Sequence, residues 1–259
     1  MTTTPVPVVK MNGARNDFVL VDARVSPLED PVAFALRVCN RASGIGADGV
    51  LLLTDSSHGD VRMRVINADG SEAEMCGNGV RCVARYLDEH DGRATALVET
   101  LAGPIATTVI ARTPEYRVSV VMNVPVVGAA HDVAGMRAIP VDVGNPHVVI
   151  FVDDLAGIEI GTLGPRIAGD PRYPHGTNVH IAQILSPSAI RVVHWERGAG
   201  ATQACGTGAV ATAAAAITTR NLTSPIEVHV PGGVLTIAWQ AGERAVMSGD
   251  AVREFTTTA

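Results

Sequence analysis

Lysine is almost missing from this chain: Lys10 is the only one in 259 residues. Pyridoxal-phosphate enzymes hold their cofactor as a lysine Schiff base, so that chemistry has a single candidate, close to the chain start. Aromatic residues make up 3% of the sequence, too few for a platform on which bases stack. No run of Lys or Arg occurs and the net charge is −6, which leaves no basic face for nucleic acid. No stretch of about 18 uncharged apolar residues is present, so no membrane span is expected. The longest candidate, Ala204 to Thr219, is short and rich in Ala and Thr, as suits a buried helix. Met1 to Pro7 lacks the basic-then-apolar pattern of a signal peptide, and a cytoplasmic location is expected. The four cysteines are too few for a disulfide framework in a chain of this length, so they read as free thiols.

The common cofactor and metal signatures are also missing. There is no CxxC, no HExxH, no GxSxG elbow and no phosphate-binding Walker loop, so zinc, nucleotide and serine-hydrolase readings lose their support. Gly44-Ile45-Gly46-Ala47-Asp48-Gly49 matches GxGxxG letter for letter. A dinucleotide fingerprint must follow a strand and open a helix. Here a helical pattern comes before it and a strand-like run, Val50 to Thr54, comes after. No cofactor and no metal is expected, and the partner is a small molecule.

What the chain does have is a repeat. With 47% hydrophobic and 18% charged residues it is globular, and Cys-Gly-x-Gly occurs twice, at Cys76 and Cys205, 129 residues apart. The same offset pairs Asn16 with Asn145, Arg37 with Arg166, Arg62 with Arg191 and Gly103 with Gly232. Two homologous halves follow, expected to be related by a pseudo-two-fold axis. Alternating apolar residues predict strands at Phe18–Val21, Gly49–Thr54 and Val61–Asn67, and at Asn178–Leu185 and Ile190–Trp195 in the second half. A short helix over Val32–Asn40 is opened by Pro31. After each Cys-Gly-x-Gly a helix begins. Val80, Val83, Ala84 and Leu87 share one face of the first; the second, Ala209 to Thr219, is apolar nearly all round and so predicted to be enclosed. The fold class is α+β: two domains, each a mostly antiparallel curled sheet around a central helix. The boundaries are 1–124 and 125–248, with a linker near Asn123 to Ala130 and a return of 249–259 to the first domain.

Cys76 and Cys205 each stand immediately before a helix start. Unpaired N–H groups and the positive end of the helix dipole lower a thiol pKa there and also bind carboxylates. Two such thiols facing one anionic substrate suit a specific chemistry: a thiolate removes the proton α to a carboxylate and a thiol returns one on the opposite face. A hydrolase needs one nucleophile and gives no reason to duplicate the cysteine. A carboxylate-binding module needs no thiol. Cys39 and Cys82, within helical segments, read as inert core residues.

Asn16-Asp17-Phe18, Asn67-Ala68-Asp69-Gly70-Ser71, Met75-Cys76-Gly77-Asn78-Gly79, Gly144-Asn145-Pro146-His147, Glu196-Arg197-Gly198-Ala199-Gly200 and Ala204-Cys205-Gly206-Thr207-Gly208 run across nearly the whole chain. In that order they resemble the diaminopimelate epimerases, amino-acid epimerases that use no pyridoxal phosphate. The resemblance implies two-base catalysis by Cys76 and Cys205, inverting LL- to meso-diaminopimelate on the lysine and peptidoglycan precursor route. It implies that Gly77, Asn78, Gly206 and Thr207 hold the reacting carboxylate. Asn16, Asn67, Asn145, Asn178, Glu196 and Arg197 would contact the substrate, several of them at its distal head. It assigns pKa tuning to His147 and Glu196, and it carries a homodimer as an expectation. Asn12 and Arg15 depart from the residues common in the family, and Gly49 stands where some members have Gln. A racemase of another amino acid in the same superfamily therefore stays open beside the epimerase, as does the binding module.

Overall fold

The computed structural model describes residues 5–259. Its chain divides into two compact units: the residues up to Val120 together with Gly249–Ala259, and Val121–Ser248.

In the first unit β1 (Pro7–Gly13) and β2 (Asn16–Asp22) form a hairpin, and α1 (Pro31–Val38) leads into β3 (Gly49–Thr54). There follow β4 (Val61–Asn67), the short β5 (Glu72–Ala73), the long helix α2 (Gly77–Asp91), and β6 (Thr95–Thr100), β7 (Gly103–Ala111) and β8 (Arg117–Val121). Pairing is antiparallel except at β2–β3 and β4–β6. Parallel neighbours need a crossover, and each parallel pair has one: α1 joins β2 to β3, and α2 joins β4 to β6. Helix α1 starts where Asp30 accepts from the Ala33 N–H at 2.9 Å and Pro31 fixes the first turn, an N-cap and N1 pair of the favoured types.

The second unit repeats this plan. After β9 (Val126–Val127) and β10 (His131–Val133) come β11 (Met136–Asp142), β12 (Pro146–Val152), α3 (Ile160–Ala168), β13 (Asn178–Ser186), β14 (Ala189–Glu196) and β15 (Gly200–Thr202). Helix α4 (Gly206–Arg220) and strands β16 (Ile226–Val230), β17 (Gly233–Ala238) and the start of β18 (Val246–Asp250), whose last two residues are counted with the first unit, complete it. Its parallel pairs are β12–β13 and β14–β16, crossed by α3 and α4. The last strand, β19 (Val252–Thr258), pairs antiparallel with β1.

Each long helix is wrapped by its own sheet. Helix α4 touches β9, β11, β12, β13, β14, β16 and β17, and every residue from Ala209 to Ala216 is buried. A ring of strands can close on a helix from all sides only where its side chains are small. Each methyl so buried is worth about 0.8 kcal/mol. The one hydroxyl in that stretch, Thr212, donates back to the Gly208 carbonyl at 2.7 Å. Helix α2 buries Val80, Val83, Ala84 and Leu87, but also Arg81, Cys82 and Tyr86. Among the described residues no helix is long and apolar enough to cross a membrane.

Candidate active site

The two repeated cysteines are the N-caps of the two central helices. Cys76 precedes α2 with φ −136° and ψ 111°, and Cys205 precedes α4 with φ −117° and ψ 107°. In both, extended backbone turns into helix at the cysteine, and the first N–H groups of the helix lack intrahelical acceptors.

In the first unit, the Cys76 thiol donates to Asn16 Oδ1 at 3.6 Å, and Asn78 Nδ2 donates to the same oxygen at 3.3 Å. The Asn16 amide is oriented from behind, because its Nδ2 donates to Asp48 Oδ2 at 2.7 Å. Asp48 accepts from Arg41 at 2.8 Å, Arg41 bridges to Asp17, and Asp17 also accepts from Lys10 at 2.5 Å. Burial alone would raise the Asp17 pKa, yet the hydrogen bonds from Arg41 and Lys10 hold it well below the usual carboxylate range. The GxGxxG look-alike thus ends in a loop whose Asp48 supports Asn16.

Asn78 is set in the same way from the interior. Arg81, with no exposed surface, donates to Asn78 Oδ1 at 3.0 Å, to the Asp250 carbonyl at 2.8 Å and to the Gly77 carbonyl at 3.4 Å. Gly77 is buried in the first turn of α2. Asn67 ends β4 opposite Gly49 and donates to Ser71 Oγ at 2.9 Å, within its own turn.

In the second unit Cys205 is 4% exposed and its sulfur accepts from the Gly208 N–H at 3.3 Å, with Thr207 Oγ1 at 3.6 Å. Gly206 is buried beside it. Burial, then the charge and hydrogen bond of Glu196, push the thiol pKa well above its ordinary value. This corrects the expectation that a helix start lowers it: the Thr207 and Gly208 contacts do act downward, but desolvation and a neighbouring carboxylate outweigh them. Glu196 is held in turn by Thr202 Oγ1, which donates to Oε1 at 2.5 Å. Asn178 accepts from the Arg197 N–H at 3.0 Å and donates to the Pro146 carbonyl at 2.9 Å. The Arg197 side chain is exposed and donates to the His175 carbonyl at 3.0 Å. Asn145 Oδ1 lies 2.8 Å from His147 Nε2, and His147 Nδ1 lies 2.8 Å from His180 Nε2. Burial first, then the nearby His194 and Arg197, lower the His147 pKa to about 3, so its ring is neutral.

The halves are unequal in a way that the repeat makes plain. Asn16 and Asn145 correspond, as do Cys76 and Cys205. Where the first unit has Gly49, Asn67 and Ala68, however, the second has Asn178, Glu196 and Arg197. The charged pair Glu196 and Arg197 therefore has no charged counterpart at the matching positions of the first unit.

The three departures from the family pattern have local structural settings. Asn12 donates to Glu254 on β19 at 2.8 Å. Arg15 sits exposed at the apex of the β1–β2 hairpin at φ 60°, beside Ala14 at φ 50°. A Cβ at Gly49 would lie 2.8 Å from the Ile66 carbonyl oxygen. Cys39 and Cys82 are buried, and burial raises their pKa values to about 11 and about 12. Among the described residues no group of three or more His, Cys, Asp or Glu is placed to hold a metal ion. Asp48, Arg81, Thr202, His180 and His194, which contact these side chains or one another, lie outside the motifs that carry the resemblance.

Solved structures share this architecture over nearly the whole chain. A Bacillus anthracis phenazine biosynthesis protein of the PhzF family superposes with a TM-score of 0.73 at 15% identity, covering 99% of each chain. A hydroxyproline epimerase from Agrobacterium vitis superposes with a TM-score of 0.71 at 17% identity, covering 98% of this chain and 91% of that one. The chain therefore shares its fold with a hydroxyproline epimerase and with a PhzF-family protein. The family model for diaminopimelate epimerase matches residues 8–127 and 139–254. A diaminopimelate epimerase from Sphingopyxis alaskensis is 43% identical, over 95% of this chain and 94% of its own length. One from Carboxydothermus hydrogenoformans is also 43% identical, over 94% and 95%. The chain belongs to the diaminopimelate epimerase family.

Proposed function

We propose that the protein inverts the α-carbon of LL-diaminopimelate to give the meso isomer, without a cofactor, on the route to lysine and peptidoglycan precursors. The observation that carries this reading is the placing of Cys76 and Cys205 as N-caps of two repeated central helices, in a chain of this family. Two-base inversion requires one thiolate to take the α-proton and one thiol to supply another on the opposite face. Cys205, with its pKa raised, is the proton donor in the state described, and Cys76 then serves as the base. Reaction in the reverse direction exchanges the roles, with Glu196 able to accept the Cys205 proton. The reacting carboxylate is taken by the helix starts at Gly77, Asn78, Gly206 and Thr207, where backbone N–H groups and the dipole favour an anion. Asn16 orients the Cys76 side. The distal head goes to the second unit, where Arg197 clamps its carboxylate and Asn145 and Asn178 add hydrogen bonds. Asn67 completes the wall of the first unit.

The α-proton of an amino acid is a weak acid, so preorganised donors and exclusion of water must supply much of the barrier reduction. A cytoplasmic homodimer is part of this proposal, and sedimentation at graded concentration tests the dimer. The activity is tested by α-proton exchange in deuterium oxide, followed by NMR, with LL-diaminopimelate and a panel of single-headed amino acids. Exchange and inversion confined to diaminopimelate support the reading, and loss of inversion in both Cys76→Ala and Cys205→Ala supports two bases. Exchange only on another amino acid makes the protein a different racemase. No exchange on any substrate removes the catalytic reading.

A further inference from the structure

Three imidazoles form a column across adjacent strands of the second unit. His147 on β12, His180 on β13 and His194 on β14 are 2%, 0% and 1% exposed. His147 Nδ1 meets His180 Nε2 at 2.8 Å, and His180 Nδ1 meets His194 Nδ1 at 2.8 Å. Successive ring centroids are 5.0 Å apart. The column begins at Asn145 Oδ1, 2.8 Å from His147 Nε2. At the other end His194 Nε2 is buried and, among the described residues, has no partner. The middle ring lies against the start of α4: a Cβ at Gly208 would come within 2.3 Å of His180 Cε1.

Hydrogen-bond direction along such a column is all or none. A neutral imidazole has one N–H and one bare nitrogen, so fixing one contact fixes every other. If His194 Nε2 is bare, then His194 Nδ1–H donates to His180, His180 Nε2–H donates to His147, and His147 Nε2–H donates to Asn145 Oδ1. The opposite direction would leave a buried N–H without a partner at His194, and it would leave His147 Nε2 bare against Asn145 Oδ1, which can only accept. The first direction is the one favoured, and it has a consequence at the surface end. The oxygen of Asn145 is turned inward and its NH2 outward.

We propose that His180 and His194 are positioning residues that hold His147, and through it Asn145, so that Asn145 offers amide N–H donors to a carboxylate oxygen of the substrate. This inference rests on the reading above that Asn145 meets the substrate.

The column itself is tested without substrate by 15N-resolved spectra of the histidine side chains at pH 7. The expected pattern is a proton on Nε2 of His147 and His180 and on Nδ1 of His194. Protons on the opposite nitrogens, or a doubly protonated ring, overturn the proposal. Asn145→Asp keeps an acceptor for His147 but offers a carboxylate oxygen in place of NH2, so KM should rise at least about thirtyfold while the tautomer pattern holds. An unchanged or lower KM overturns the proposed orientation. His180→Leu removes the donor to His147, and KM should rise about tenfold with kcat within about threefold. His180→Gln, which restores an amide donor, should recover most of the loss. A fall in kcat at constant KM would mean that His180 acts through Gly208 and Cys205, and that result also overturns the proposal. Should His180→Leu fail to fold, the wild-type spectrum and Asn145→Asp decide. A wild-type enzyme that exchanges no diaminopimelate proton defeats the functional reading instead, while the spectrum still judges the column.

Discussion

Lowering the pH from 7 to 5 should strip up to about 6 kcal/mol of stability from the second unit. Burial lowers the pKa values of His147 and His194 to about 3, and that of His180 well below its ordinary value, with the neighbouring rings adding to the effect at His147 and His180. In the unfolded chain each ring titrates near 6.5. Between those limits the unfolded state binds protons that the folded state refuses, so stability is fully present above about pH 6.5 and falls as the pH drops. Integrated from pH 7 to 5, one ring costs about 1.9 kcal/mol, and three cost up to about 6. That is comparable to the total stability of an ordinary domain, about 5–15 kcal/mol. Carboxylates such as Asp17 contribute below this window, because unfolded aspartates titrate near 3.9.

The assay is built into the sequence. Both tryptophans, Trp195 and Trp239, lie in the second unit, so urea unfolding followed by tryptophan fluorescence at pH 7, 6 and 5 reports that unit. His194→Leu removes one of the three titrating rings, and its loss between pH 7 and 5 should be smaller than wild type by about 2 kcal/mol. A wild-type midpoint unchanged at pH 5, or equal acid sensitivity in the variant, would refute the assignment of neutral buried rings.

Gly208→Ala places a methyl within 2.3 Å of the His180 ring and should destabilise by about 1–3 kcal/mol, with a loss of kcat, measured by urea titration and turnover. Arg81→Met strands the Asp250 and Gly77 carbonyls and Asn78 Oδ1; about 3–5 kcal/mol of destabilisation is expected, read as a fall in thermal midpoint. Asp48→Ala frees the Asn16 amide to turn its nitrogen toward Cys76, and kcat/KM should fall about tenfold, or about 1.4 kcal/mol of transition-state stabilisation, with near-unchanged circular dichroism. Arg15→Gly relieves a left-handed backbone at an exposed hairpin apex; stability should change by no more than about 1 kcal/mol, and an unaltered substrate panel is expected.

The repeat carried most of what was legible. Strands β1 and β11 begin at Pro7 and Met136, β8 and β18 at Arg117 and Val246, and the two long helices at Gly77 and Gly206, all separated by the offset that the cysteines define. The same offset projects α1 onto Ile160, where α3 begins, yet that helix was not predicted. Gly161, Gly164 and Pro165 hide its period. Gly164 is there because the Trp195 ring occupies the space: a Cβ would lie 2.4 Å from Trp195 Cγ. Packing of a neighbouring strand has overridden helix propensity.

The site divides along similar lines. The residues proposed for the site lie in contiguous motifs, whereas the side chains that contact them from other strands do not. His180 lies two residues inside Asn178 on β13, and His194 two residues inside Glu196 on β14, with the two histidines directly opposed in the ladder. Side chains two apart share one face of a strand, so strands starting at Asn178 and ending at Glu196 already put both imidazoles on the face of the motif residues. The signal was present and needed only the hairpin register. Arg81 had none. A charged residue in a helix is ordinarily placed on the solvated side, and only the acceptors supplied by Asp250 and by the first turn of α2 make an interior position tolerable. The proposed site residues are thus written locally in short motifs, and the side chains that contact them from other strands become visible once the sheet is assembled.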